Sequence, residues 1–126
     1  METISTAKAH GGTQGVYSYP STSLDGDMTF AVFMPPQAAD ELVPVLWYLS
    51  GLTCNHSNVM DKGEYRAAAA KHGVAIVCPD TSPRGDDVAD DESWQLGKGA
   101  GFYVDATEAP WAANYQMNTA IHSDLQ

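Results

Sequence analysis

The sequence predicts an α/β protein built on parallel strands, and three observations carry that reading. Two runs, Val43 to Leu49 and Val74 to Cys78, are apolar throughout rather than alternating, the pattern of strands covered on both faces. Between them, Glu64 to His72 is dense in helix formers and ends on Lys71 and His72 followed by Gly73, a cationic last turn with a glycine stop. Strand, helix and strand in that order form the crossover that joins parallel neighbours.

Ahead of this unit, Thr13 to Tyr19 and Met28 to Met34 carry the β-branched and aromatic residues of strands. Ser23-Leu24-Asp25-Gly26-Asp27 supplies turn chemistry between them, so they are expected to pair antiparallel. Pro35-Pro36 ends the second, because proline offers no ladder donor. After Cys78, residues 80 to 101 show no periodicity and are expected to form one long loop, with the acidic cluster Asp86, Asp87, Asp90, Asp91 and Glu92 as solvated surface. Helix formers return from Ala112 to Gln126, and there are no internal repeats.

The chain has 126 residues, 44% hydrophobic and 17% charged, which suits a single globular domain. A net charge of −10 with only six Lys and Arg argues against a nucleic-acid ligand, since affinity for phosphate backbones comes from cations. A small anionic ligand stays open, because local amides outweigh global charge. No apolar run reaches the roughly 20 residues of a membrane span, and Met1-Glu2-Thr3-Ile4 has no signal-peptide character. The expectation is a cytoplasmic protein that keeps Cys54 and Cys78 as thiols.

Chemistry is expected at Ser50-Gly51-Leu52-Thr53-Cys54, directly after the first buried strand, where open α/β sheets place their ligands. A glycine there lets backbone amides turn into a cleft; spacing alone also fits a plain strand-to-helix turn. Ser50 is not read as a nucleophile, because Tyr48 stands where the nucleophile elbow needs a small residue. Cys54 is read either as a reactive thiol or as a small buried hydrophobe, and His56, two residues on, is poorly placed to activate it. The histidines show no metal spacing. Gly97-Lys98-Gly99-Ala100-Gly101 lacks the context of a phosphate loop.

Three segments in order, Leu49-Ser50-Gly51-Leu52-Thr53-Cys54, Pro79-Asp80-Thr81-Ser82-Pro83-Arg84-Gly85 and Gly99-Ala100-Gly101-Phe102-Tyr103-Val104-Asp105-Ala106-Thr107, closely resemble the S-formylglutathione hydrolase (esterase D) family. Gly11-Gly12, Met28-Thr29-Phe30 and Pro110-Trp111 extend the likeness over nearly the whole chain. The resemblance implies that residues 1–126 are the N-terminal portion of one α/β-hydrolase domain, an incomplete fold without the nucleophile-elbow half. It implies a serine thioesterase that hydrolyses S-formylglutathione to formate and glutathione with no metal or organic cofactor. Carried over by position, the Leu52 backbone N–H is an oxyanion donor, and Gly51, Cys54, Gly99, Ala100, Gly101 and Phe102 line the substrate cleft. The Ser, Asp and His of the triad fall outside this chain, so the chain alone is expected to be inactive; the alternative is a non-catalytic ligand-binding or interaction module derived from that fold. The resemblance also implies that Val43 to Leu49 is left as an unpaired apolar edge, open to a second copy or to a complementing C-terminal chain.

Overall fold

The computed structural model describes residues 1–126 and shows a five-stranded mixed sheet in the order β1-β2-β3-β5-β4. β1 (Glu2–Ala9), β2 (Gly12–Ser21) and β3 (Gly26–Met34) form an antiparallel meander, and β3 pairs antiparallel with β5 (Ala75–Pro79). β4 (Val45–Trp47) runs parallel to β5 at the far edge. The predicted opening pair and the parallel crossover are both present.

Two elements differ from expectation. β1 carries no apolar alternation, because its Thr- and Ser-rich residues are exposed on both faces at an edge, so hydrophobic patterning cannot reveal it. The crossover holds two helices, α1 (Ser57–Lys62) and α2 (Arg66–His72), where one was predicted. Gly73 closes α2 at φ 64°, the left-handed ending that its position predicted.

Strand alternation divides the core between the two sheet faces. Ala31 and Phe33 on β3, with Ile76 and Cys78 on β5, pack beneath Ala69 and Ala70 of α2. On the other face Met28, Phe30 and Val77 meet Met117, Ala120 and Ile121. Those last three residues lie on a helical tail made of α3 (Met117–Thr119) and a π-helical turn at Ala120–Asp124. Each large side chain buried in this way contributes roughly 1.5–3 kcal/mol.

Asp124 fastens that tail to the β2–β3 turn. Its carboxylate accepts from Ser21 Oγ at 2.6 Å, the Ser23 amide at 2.9 Å and Ser23 Oγ at 3.0 Å. Desolvation pushes the carboxyl up, but these donors outweigh it and hold Asp124 below the usual carboxylate range. A depressed pKa gives stability that is complete above the unfolded value near 4 and lost as pH falls through the folded value. We expect Asp124→Ala to lower unfolding free energy by about 1–2 kcal/mol at pH 7. Urea melts across pH should show that gap closing in acid; a gap independent of pH would assign the effect to something other than the carboxylate.

Candidate active site

The site begins where β4 leaves the sheet. Tyr48 N–H donates the last ladder bond to Val77 O at 2.8 Å, and the chain then turns through residues 50 to 54. Ser50 is buried, and its carbonyl accepts from Tyr103 Oη at 2.6 Å. Thr53 adopts φ 63°, an uncommon conformation for a β-branched residue that costs on the order of 1–3 kcal/mol.

Backbone accounting divides the amides of this turn into paired and unpaired. Thr53 N–H donates to Gly99 O at 2.8 Å and Cys54 N–H donates to Gly51 O at 3.1 Å. Immediately before them, Leu52 N–H has no protein acceptor, as is also true of the Ser50 and Gly51 amides, and Leu52 is 39% exposed. Because most backbone donors are paired, an unpaired one in a turn whose following amides are fixed is open to an incoming acceptor.

A glycine strap holds the turn from one side. Gly97, Gly99 and Gly101 take φ values of 77°, 80° and 77°, which favour glycine. At Gly101 the approach is also close, since an added Cβ would stand 2.9 Å from Gly51 C and 3.1 Å from Leu52 N. Asp90 fixes the far end of the strap by accepting from the amides of Asp91 at 2.9 Å and Lys98 at 3.0 Å. Asp91 in turn accepts from Ser93 N–H at 2.7 Å. Two members of the acidic cluster therefore organise backbone, whereas Asp86, Asp87 and Glu92 lie exposed as expected.

The segment after β5 ties turn and strap together. Asp80, Thr81 and Ser82 are buried, and the Arg84 guanidinium grips the Asp80 carboxylate, Nε to Oδ2 at 2.8 Å and Nη2 to Oδ1 at 2.9 Å. Arg84 Nη2 also donates to Cys54 O at 3.0 Å, and Thr81 Oγ1 donates to the same carbonyl. Ser82 Oγ accepts from Gly99 N–H at 2.7 Å. The hydrogen bond to Asp80 raises the Arg84 pKa further, so the clamp stays charged throughout the ordinary pH range.

The structure thus places Gly51, Leu52, Cys54, Gly99, Ala100 and Gly101 in one cluster. Exposed Phe102 stands with Leu52, Trp94 and Leu96 around an open groove. Behind the strap, a cavity of about 200 Å³ reaches from Thr81 and Ala100 to Trp111 and Tyr115. No hydrogen bond joins Cys54 to His56, whose pKa is lowered by burial despite the opposing charge of Asp80. Cys78 is fully buried, and desolvation pushes its thiol up to about 11. Sequence reasoning gave Asp80, Thr81, Ser82 and Arg84 no individual role, and placed Tyr103 only in the loop lining the cleft. Arginine after a strand end, four residues beyond an aspartate, was the available signal.

The family model for esterases matches residues 21–126. An S-formylglutathione hydrolase from Paracoccus denitrificans is 56% identical over 116 residues, covering 92% of this chain and 42% of that protein. One from Mus musculus is 46% identical over 126 residues, covering 99% of this chain and 45% of that protein. A solved S-formylglutathione hydrolase from Agrobacterium tumefaciens superposes with a TM-score of 0.97 at 58% identity, covering 99% of this chain and 46% of the other. The chain therefore spans under half the length of the relatives it matches. No helix is long and apolar enough to cross a membrane. With five-sixths of its length inside the family match and its backbone superposed on a solved relative, this chain belongs to the esterase family.

Proposed function

We propose that the chain is the oxyanion-donor part of an S-formylglutathione hydrolase, acting on a small glutathione thioester in the cytoplasm. The observation that carries this is the free Leu52 N–H beyond the C-terminal end of β4, in a turn fixed by the bonds from Thr53 N–H to Gly99 O and from Cys54 N–H to Gly51 O. The three curated or solved relatives named above support the substrate, since all are S-formylglutathione hydrolases.

On this reading a serine outside residues 1–126 attacks the thioester carbonyl, and the carbonyl oxygen gains negative charge as the tetrahedral species forms. Leu52 N–H donates to that oxygen together with the amide following the serine. Collapse breaks the carbon–sulfur bond and releases glutathione as the thiol, and water then hydrolyses the formyl ester. Gly51 keeps the approach to Leu52 open, because nothing lies within 4 Å of where its Cβ would be. Gly99, Ala100, Gly101 and Phe102 form the wall beside the reacting carbonyl, and Cys54 lines the turn without acting as nucleophile.

The test is a single-chain chimera in which residues 1–126 precede the part of the Agrobacterium tumefaciens relative that lies beyond the match. We expect S-formylglutathione hydrolysis from the chimera and none above background from residues 1–126 alone. Leu52→Pro removes the N–H and should lower kcat by roughly 10²–10³-fold with little change in KM. An inactive chimera, or an unchanged kcat in Leu52→Pro, would count against this assignment. Cys54→Ser should retain turnover and lose only sensitivity to thiol reagents; abolished turnover would favour a thiol enzyme instead.

A further inference from the structure

We propose that Tyr103 is a positioning residue: its hydroxyl, bound to the Ser50 carbonyl, holds the turn in the orientation at which Leu52 N–H meets the thioester oxygen. The reaction rests on the functional reading above, while the contact rests on geometry.

Gly51 is the pivot of this turn. It is exposed, and nothing lies within 4 Å of where its Cβ would be, so packing does not restrain it. Direction therefore depends on the peptide planes to either side. The plane that carries Leu52 N–H is held at its other end, where Gly51 O accepts from Cys54 N–H at 3.1 Å. That bond closes the turn upon itself and leaves its setting against β4 open. The preceding plane, Ser50 O with Gly51 N–H, supplies the setting. Gly51 N–H has no protein acceptor, so the plane is anchored through Ser50 O, on Tyr103 Oη at 2.6 Å.

Tyr103 stands on a firm base. Its ring packs against the core cluster that contains Phe30, Met117 and Ile121. Beside it, Val104 O accepts from Met117 N–H at 3.2 Å and Asp105 bridges Gln116. A tyrosine has two χ angles to fix, so it presents its hydroxyl at small entropic cost. Burial pushes the phenol well above its ordinary pKa, and it stays a donor throughout the ordinary pH range. At the far end of the turn Cys54 O is held by Thr81 Oγ1 and Arg84 Nη2. Side-chain donors thus fix both ends, and loss of the one at Ser50 frees the pivot next to Leu52.

The test uses the single-chain chimera. Tyr103→Phe keeps the ring and removes the bond, and should lower kcat roughly 10–30-fold with KM changed by less than about twofold. Tyr65→Phe is the matched control, since Tyr65 Oη donates to Gln14 Oε1 at 2.7 Å on the opposite face of the sheet, and its kcat should equal that of the parent. In the Leu52→Pro background, Tyr103→Phe should cost less than about twofold more, because the amide it aims is already gone. Relaxation of ¹⁵N in residues 1–126 reads the same contact without turnover: order parameters of the Gly51 and Leu52 amides should fall from about 0.85 toward 0.6 in Tyr103→Phe and hold in Tyr65→Phe. Undiminished kcat in Tyr103→Phe, an equal loss in Tyr65→Phe, a full further loss in the Leu52→Pro background, or unchanged order parameters would each overturn the role of Tyr103 and leave the assigned reaction standing. A parent chimera without hydrolysis overturns the assigned reaction itself, and the role of Tyr103 falls with it.

Discussion

Gly101→Ala is expected to destabilise the protein by about 2–4 kcal/mol and to reduce kcat of the covalent chimera on the order of 10²-fold. Two costs combine in this substitution. Alanine at φ 77° is strained in any surroundings, and here its Cβ would stand 2.9 Å from a backbone carbon of Gly51. Backbone cannot rotate aside as a flexible side chain does, so strap and turn must separate. Separation stretches the bond from Thr53 N–H to Gly99 O, and that bond fixes the direction of the neighbouring Leu52 amide. Gly51→Ala is the contrasting control, because its Cβ meets open space, and stability should change by no more than about 0.5 kcal/mol. Urea unfolding of residues 1–126 measures the first effect and chimera kinetics the second. Equal losses of stability in the two glycine variants would show that close approach at Gly101 is not the cause.

Arg84→Met is expected to cost roughly 2–4 kcal/mol, below the usual penalty for breaking a buried ion pair because the guanidinium is 41% exposed and only the Asp80 carboxylate is buried. The loss is larger than for a surface pair because Asp80 stays behind with its charge in a buried position, and Cys54 O loses one of two donors. Arg84→Lys should recover only part of the difference, since an ammonium cannot reproduce the forked contact and reach Cys54 O together. Full rescue by lysine in urea unfolding would reduce the clamp to simple charge neutralisation.

What could be read from the sequence follows the strength of local signals. Both sides of the crossover and the glycine stop at Gly73 were legible because continuous apolar runs and a left-handed ending leave few alternatives. β1 was not, since a polar edge strand is specified by its partner β2 and not by its own pattern. The break between α1 and α2 falls at residues 63–65, where Glu64 takes φ 45° despite its helix preference; tertiary packing overrides local propensity there. At the site, Gly51, Leu52 and the strap were identifiable by position and resemblance. The clamp was legible at most as the Asp80–Arg84 pair four residues apart; its reach to the Cys54 carbonyl, 30 residues away, ends on a backbone atom, which carries no sequence signature.

The connectivity of the sheet sets an order of assembly. β1, β2 and β3 pair with immediate neighbours through short turns, whereas β5 reaches β3 only after the long excursion through β4 and both helices. Contacts local in the chain form early, and distant ones wait for loop closure. The bonds that aim Leu52 all lie between residues 50 and 103. On the function proposed above, a chain leaving the ribosome N-terminus first can close the turn that carries Leu52 N–H once residue 103 has emerged, so the donor would be in place before the nucleophile.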